Sequence, residues 1–244
     1  MSGHSKWHNI QGKKGKADKA RSNTFTKLSR AISLAAQQGG GDSEMNFSLR
    51  LAVEKARIAN MPKDNIEKAI KRGTGELKDE AVLQEVVYEG FGPGGIAFLV
   101  EAVTDNNNRT FGDVKNAFSK NGGNLGSPGS VQWQFSHLGV IIVAKEKLIE
   151  KNIIEDEFSL KLIEIGAEDI IESEYGLEIR CELEKFKTVL DAVIASGLEP
   201  EDSGLEWVAK ETVELDEEVK TKVEKLYEII EELDDVKNVY TNES

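Results

Sequence analysis

The sequence predicts an α+β multidomain protein: an N-terminal three-helix bundle, then two α/β-sandwich domains, one inserted in the other. Three observations carry this. Apolar residues recur at three- and four-residue spacing up to Gly73, and from Glu85 the period shortens to two. A βαββαβ run then precedes one more helix and strand, which need a sheet to join.

The first helix is expected to start at Asn23, a capping residue, with Phe25, Leu28, Ile32 and Ala35 on one face, and to stop at the glycines 39–41. Asp42 or Asn46 opens the second, which carries Leu49, Ala52, Val53, Ala56 and Ala59 inward. Pro62 opens the third, with Ile66, Ala69 and Ile70 inward. Three short amphipathic helices bury their stripes against one another. "RGTGELKDE" reads as a linker.

"EVVYEGF" and "IAFLVEAV" read as strands around "GPGG". "TFGDVKNAFSKNGG" reads as a helix with Phe111, Val114 and Phe118 inward, and "SVQWQF" as a strand. "GVIIVAK", "EDEFSLKLIEIG", "AEDIIES", "GLEIRCELE", "FKTVLDAVIASG" and "SGLEWVAK" then give the βαββαβ order of a ferredoxin-like domain. "DEEVKTKVEKLYEIIEELDDV" is a helix with Val219, Val223, Leu226, Ile230 and Leu233 inward, and "VKNVYT" a last strand. The expected domains are 1–76 (basic arm and bundle), 77–133 with 207–244 (a discontinuous α+β domain) and 134–206 (the inserted ferredoxin-like domain).

Charge is divided along the chain. The 244 residues carry a formal net charge of -13, yet residues 1–75 hold fifteen Lys/Arg against six Asp/Glu, and residues 76–244 hold sixteen against thirty-eight. Such a split points to two surfaces for different partners. With one cysteine there is no internal disulfide framework, no apolar run reaches membrane-spanning length, and the N-terminal stretch lacks the apolar core of a secretory signal. The expectation is a cytoplasmic protein with no membrane partner and no small-molecule substrate.

Chemical motifs are weak. Gly90, Gly92 and Gly95 satisfy G-x-G-x-x-G, but a strand follows where a dinucleotide site needs a helix N-terminus; a tight turn using Pro93 and positive-φ glycines fits better. "TDNNNRT" fails as a calcium loop because Arg109 and Thr110 stand where a ligand and a glycine belong. His4 and His8 have no neighbouring metal ligand, His137 stands alone, and Cys181 shares the inward phase of Leu177, Ile179 and Leu183. No catalytic residue, metal site or cofactor is expected, so the chain reads as a non-enzyme.

The basic arm is the exception. Its lysines and glycines cannot bury enough apolar area to offset chain entropy, so residues 1 to about 21 are expected to order only on a polyanion. Lys6, Lys13, Lys14, Lys16, Lys19 and Arg21 are candidate phosphate contacts, Trp7 a candidate for base stacking, and Lys27 and Arg30 extend the track onto the first helix. Asp105, Asn106, Asn108, Arg109 and Thr110 form a candidate polar contact loop, in which Asn108 or Thr110 also caps the following helix.

"GHSKWHNI", "FTKLSRAI", "ANMPKDNIEKAIKRGTGE", "YEGFGPGG", "VEAVTDNNNRT" and "FSKNGGNLG" followed by "GSVQW" resemble the YebC/PmpR family along the whole chain. The resemblance implies an N-terminal helical domain, two α/β domains with one interrupted by the other, no catalytic activity, and DNA binding in transcriptional regulation. It also extends to mitochondrial translational activators and to bacterial factors proposed to act on stalled ribosomes, so the alternative is a ribosome- or RNA-associated translation factor. The implied partners are DNA or ribosomal RNA, together with ribosomal or transcription-machinery proteins. The family's loop commonly reads Asp-Asn-Arg-Asn-Arg-Thr, whereas this chain has Asn107 at the first arginine. That leaves Arg109 as the better contact.

Overall fold

The structure, a computed structural model, describes residues 19–77 and 82–244, with the side chains of the first helix described from Asn23 onward. The described residues divide into two compact units: residues 19–77 and 82–132 with Leu215–Thr241, and Trp133–Glu214 with Asn242–Ser244.

In the first unit, α1 (Lys19–Gly39), α2 (Phe47–Ile58) and α3 (Lys63–Gly73) enclose a core of Ile32, Leu49, Val53, Ala56, Ile66 and Ala69. Asn46 caps α2, its side chain accepting from the Leu49 N–H at 3.1 Å, and Pro62 precedes α3. The helix expected to start at Asn23 instead runs through it. Helices α1 and α3 approach closely at Gly73, where a Cβ would lie 2.1 Å from the Ser33 carbonyl oxygen, and the Ser33 hydroxyl donates to the Ala69 carbonyl at 2.7 Å.

The same unit holds a sheet of β1 (Gln84–Phe91), β2 (Ala97–Thr104), β3 (Asn124–Leu125) and β8 (Val236–Thr241) in the order β3-β1-β2-β8, every pairing antiparallel. The C-terminal strand thus joins β2, and α4 (Asn107–Lys120) and α8 (Glu217–Glu231) complete the layer. Phe98 and Phe118 meet edge to face at 5.6 Å among Val100, Val114, Leu226 and Ile230. Fully burying one such side chain is worth about 1.5–3 kcal/mol. The "GPGG" turn joins the antiparallel pair β1 and β2, with φ of 70° at Gly94 and 76° at Gly95. A side chain would be strained at either.

The second unit contains β4 (Phe135–Ala144), α5 (Lys145–Glu150), α6 (Glu155–Ile165), β5 (Ala167–Ser173), β6 (Gly176–Cys181), α7 (Phe186–Ala195) and β7 (Asp202–Ala209). Its antiparallel sheet runs β5-β6-β4-β7, the ferredoxin-like order, and it lies in sequence between β3 and α8 of the first unit.

Local expectations shift in five further places. The strand β7 runs through the boundary expected at 206, and Val213 binds Asn242 and Ser244 by backbone hydrogen bonds of 2.8 and 3.1 Å, so the chain's last three residues join the second unit. Helix α5 interrupts what reads as a direct passage from strand to helix, being too short to show a period of its own. The strand expected over 130–135 begins only at Phe135, after a 3-10 turn at Gln132–Gln134, because the N–H groups of Gly129, Val131 and Gln132 are taken by Glu89. Leu183 follows β6 in a 3-10 turn and is 37% exposed rather than inward. Phe111, expected inward, is 45% exposed and packs on Tyr88 and Lys115.

Candidate nucleic-acid interface

Of the cations singled out from sequence, Lys6, Lys13, Lys14 and Lys16 lie outside the described residues, as does Trp7; Lys19 and Arg21 lie on α1 with their side chains outside them. Lys27 and Arg30 are described, and they are engaged internally. Asn23, Lys27 and Arg30 share one helical stripe. Asn23 Nδ2 donates to the Glu232 carbonyl at 3.4 Å, Lys27 Nζ to the Glu231 carbonyl, and Arg30 Nη1 to the Asp234 carbonyl. The last carbonyls of a helix lack intrahelical donors and carry its negative dipole end, and the basic stripe of α1 supplies that need for α8.

Arg30 also pairs with Asp235, a carboxylate only 7% exposed that follows α8. Around it the candidate loop folds inward. Thr110 Oγ1 donates to Asp235 Oδ2 at 2.6 Å, Arg109 Nη2 at 2.7 Å, and Thr104 Oγ1 lies 3.3 Å away. Burial alone would raise the Asp235 pKa, but the hydrogen bonds from Thr110 and Arg109 and the charges of Arg30 and Arg109 outweigh it and hold it below the ordinary carboxylate value. Arg109 also reaches Asp105 Oδ1 at 2.8 Å. The helix cap is Asn106, accepting from the Arg109 N–H at 3.1 Å, rather than Asn108 or Thr110; Thr110 is turned to Asp235 and Asn108 is exposed. Asn107 accepts from the Tyr88 hydroxyl at 2.6 Å. The loop therefore brings Asp105, Arg109 and Thr110 into one network with Arg30.

A groove of about 440 Å³ opens between α1 and α3, lined by Phe25, Thr26, Ser29, Arg30, Met61, Asn65, Lys68, Ala69 and Arg72. Its described lining holds three cationic side chains and no carboxylate. Neither Lys68, Arg72 nor Asn65 stands out in the sequence, although Lys68 and Arg72 are four apart and so share a face of α3. Asp235 is equally inconspicuous there, because it ends the acidic run "EELDD", which reads as a solvated surface.

Two other buried groups are structural. Glu89, 4% exposed, accepts from the N–H groups of Gly129, Val131 and Gln132 at 2.5, 2.7 and 2.8 Å. Burial acts to raise its pKa, and the three donors bring it below the ordinary value. Cys181 is fully buried, and burial pushes its thiol pKa up to about 11, which leaves it unreactive at neutral pH. Among the described residues no group of three or more His, Cys, Asp and Glu side chains could hold a metal ion, and no helix is long and apolar enough to cross a membrane.

Residues 5–76 match the TACO1/YebC protein N-terminal domain, and residues 83–243 match the TACO1/YebC second and third domain. The chain belongs to the TACO1/YebC family. Relatives named "Probable transcriptional regulatory protein" include one from Persephonella marina, 51% identical over 99% of this chain and 95% of its own length. Another, from Fusobacterium nucleatum, is 47% identical over 99% and 95%. A crystal structure of a conserved hypothetical protein from Aquifex aeolicus superposes with a TM-score of 0.84 at 42% identity, covering 94% of this chain and 92% of that one. The TACO1/YebC fold is therefore α+β, with N-terminal helices followed by two antiparallel sheets.

Proposed function

We propose that this TACO1/YebC protein is a non-enzymatic, cytoplasmic, nucleic-acid-binding regulator of gene expression, acting on DNA in transcription as the names of its relatives suggest. One observation carries the reading. In residues 19–77, which fold as α1–α3, Lys and Arg outnumber Asp and Glu by eleven to six, whereas residues 82–244 hold fifteen against thirty-five. Cationic groups on a folded surface release counterions when they meet phosphates, and an acidic body disfavours nucleic acid everywhere else. The arm's lysines and Trp7 would extend that contact.

The full chain should bind duplex DNA and structured RNA with affinity that falls steeply as salt rises. Deleting residues 2–21 should weaken both and flatten the salt dependence by roughly 0.7–0.9 for each phosphate no longer neutralised. Crosslinking in cells, followed by sequencing of the DNA and the RNA bound to the tagged protein, then separates the targets. Enrichment of promoter DNA supports transcription; enrichment of ribosomal RNA over every promoter moves the protein to the translation alternative. A protein partner that survives nuclease treatment and arm deletion, with no nucleic acid bound by the full chain, overturns the reading.

A further inference from the structure

We infer that the groove between α1 and α3 is a phosphodiester-binding site, centred on Arg30, Lys68 and Arg72. The inference rests on the nucleic-acid reading above and gives it a place on the folded part of the molecule.

The chemistry of the walls selects the ligand. Arg30, Lys68 and Arg72 supply positive charge from two helices, and Thr26, Ser29 and Asn65 supply neutral donors between them. The described lining contributes no carboxylate; Arg30 shares its charge with Asp235 behind the wall, so the attraction for an anion comes chiefly from Lys68 and Arg72. The base of the groove includes Ala69, 2% exposed, and Met61, 6% exposed, both members of the helical core, so the site sits on packed structure rather than on a loop. A neutral metabolite would gain little from three cations, and a cation would be repelled. A phosphodiester backbone brings one anionic charge per nucleotide and acceptor oxygens for the hydroxyl and amide donors.

Two features hold the walls in place. Helix α3 is fixed against α1 by the close approach at Gly73 and by the Ser33 to Ala69 hydrogen bond. Arg30 is held from behind by Asp235, which is itself held by Thr110 and Arg109. Asp235 is thus a positioning residue for the groove. The loop expected from sequence to touch nucleic acid acts through it, by orienting a cation that does.

The test compares matched charge removals on α3. Lys68→Gln with Arg72→Gln removes two groove cations; Lys63→Gln with Lys71→Gln removes two from the same helix outside the groove lining. Binding of the full-length variants to a fluorescent single-stranded RNA of mixed sequence, and to a DNA duplex, is followed by anisotropy across a salt series. The groove pair should weaken binding about tenfold and lower the salt slope by roughly 1.4 on single-stranded RNA and 1.8 on duplex DNA, the effect of two phosphates in each case. The outer pair should change the slope by well under half of that. Equal effects of the two pairs would show that only overall charge matters and would overturn the site. Wild-type protein that binds neither probe would instead defeat the nucleic-acid reading itself. Lys68→Gln alone, at an exposed position, keeps the test valid should the double variant lose its melting transition. Which probe shows the larger difference assigns the phosphodiester to RNA or to DNA.

Discussion

Glu89 and Asp235 are both buried carboxylates in the first unit, and they are satisfied in opposite ways. Glu89 meets three backbone N–H groups of one neighbouring loop, Gly129, Val131 and Gln132. Among the described residues the Asp235 carboxylate meets side chains only: Arg30 from α1, Thr104 from β2, and Arg109 and Thr110 from α4. The first arrangement shapes a loop and depends on one side chain. The second ties together residues more than 200 positions apart and depends on every partner's identity. A carboxylate bound by backbone is a local fastener, and one bound by side chains links the helices to the sheet and sets the groove's Arg30.

Removing each acid should expose that difference. Asp235→Ala leaves Arg30 without its carboxylate and Arg109 with Asp105 alone, and should cost about 3–5 kcal/mol, the usual penalty for breaking a buried ion pair. At roughly 2–4 °C per kcal/mol for a chain of this size, the melting temperature should fall by about 6–20 °C. A drop no larger than that of Glu89→Gln would break the comparison.

Glu89→Gln keeps the shape but loses a charged acceptor and turns a donor toward backbone N–H groups, at a cost of about 1–3 kcal/mol. Its effect should stay in the 127–132 segment, read as faster amide exchange at Val131 and Gln132, with nucleic-acid affinity unchanged.

Arg109→Ala should cost about 1–2 kcal/mol, less than a fully buried pair because the Arg109 side chain is 45% exposed. A pure surface contact would be lost with stability intact. The two carboxylate partners of Arg109 predict the reverse, and an unchanged melting temperature would return it to the surface-contact role.

The pH response sharpens the same contrast. Both acids are held below the ordinary carboxylate pKa in the folded state, so both contribute stability at neutral pH that is lost as pH falls from about 4 through their lowered folded values. Asp235→Asn should therefore be less stable than wild type at pH 7 and lose less on acidification. Parallel acid-unfolding curves would contradict this. The smallest effect belongs to Cys181: its folded pKa is raised to about 11, so its contribution is present at neutral pH and disappears only as pH rises from about 9 toward that value. Alkylation of the native thiol at pH 8 should be negligible until the protein unfolds.

The sequence on its own determined what depends on neighbours along the chain. Apolar spacing placed helices and strands, Asn46 and Pro62 marked helix starts, positive-φ glycines marked the β1–β2 turn, and the alternation around Cys181 put the thiol inside. Strand content even implied that the last strand must join an earlier sheet. Tertiary structure alone decided which polar groups meet. Nothing within "EELDD" signals that its last aspartate is buried, because its partners come from residues 30, 104, 109 and 110. Nothing within α1 signals that Lys27 and Arg30 bind the carbonyls at the end of α8. Periodicity reports which face of an element avoids water, whereas the pairing of a buried charge is settled by whatever donor the fold carries to it, from any distance along the chain.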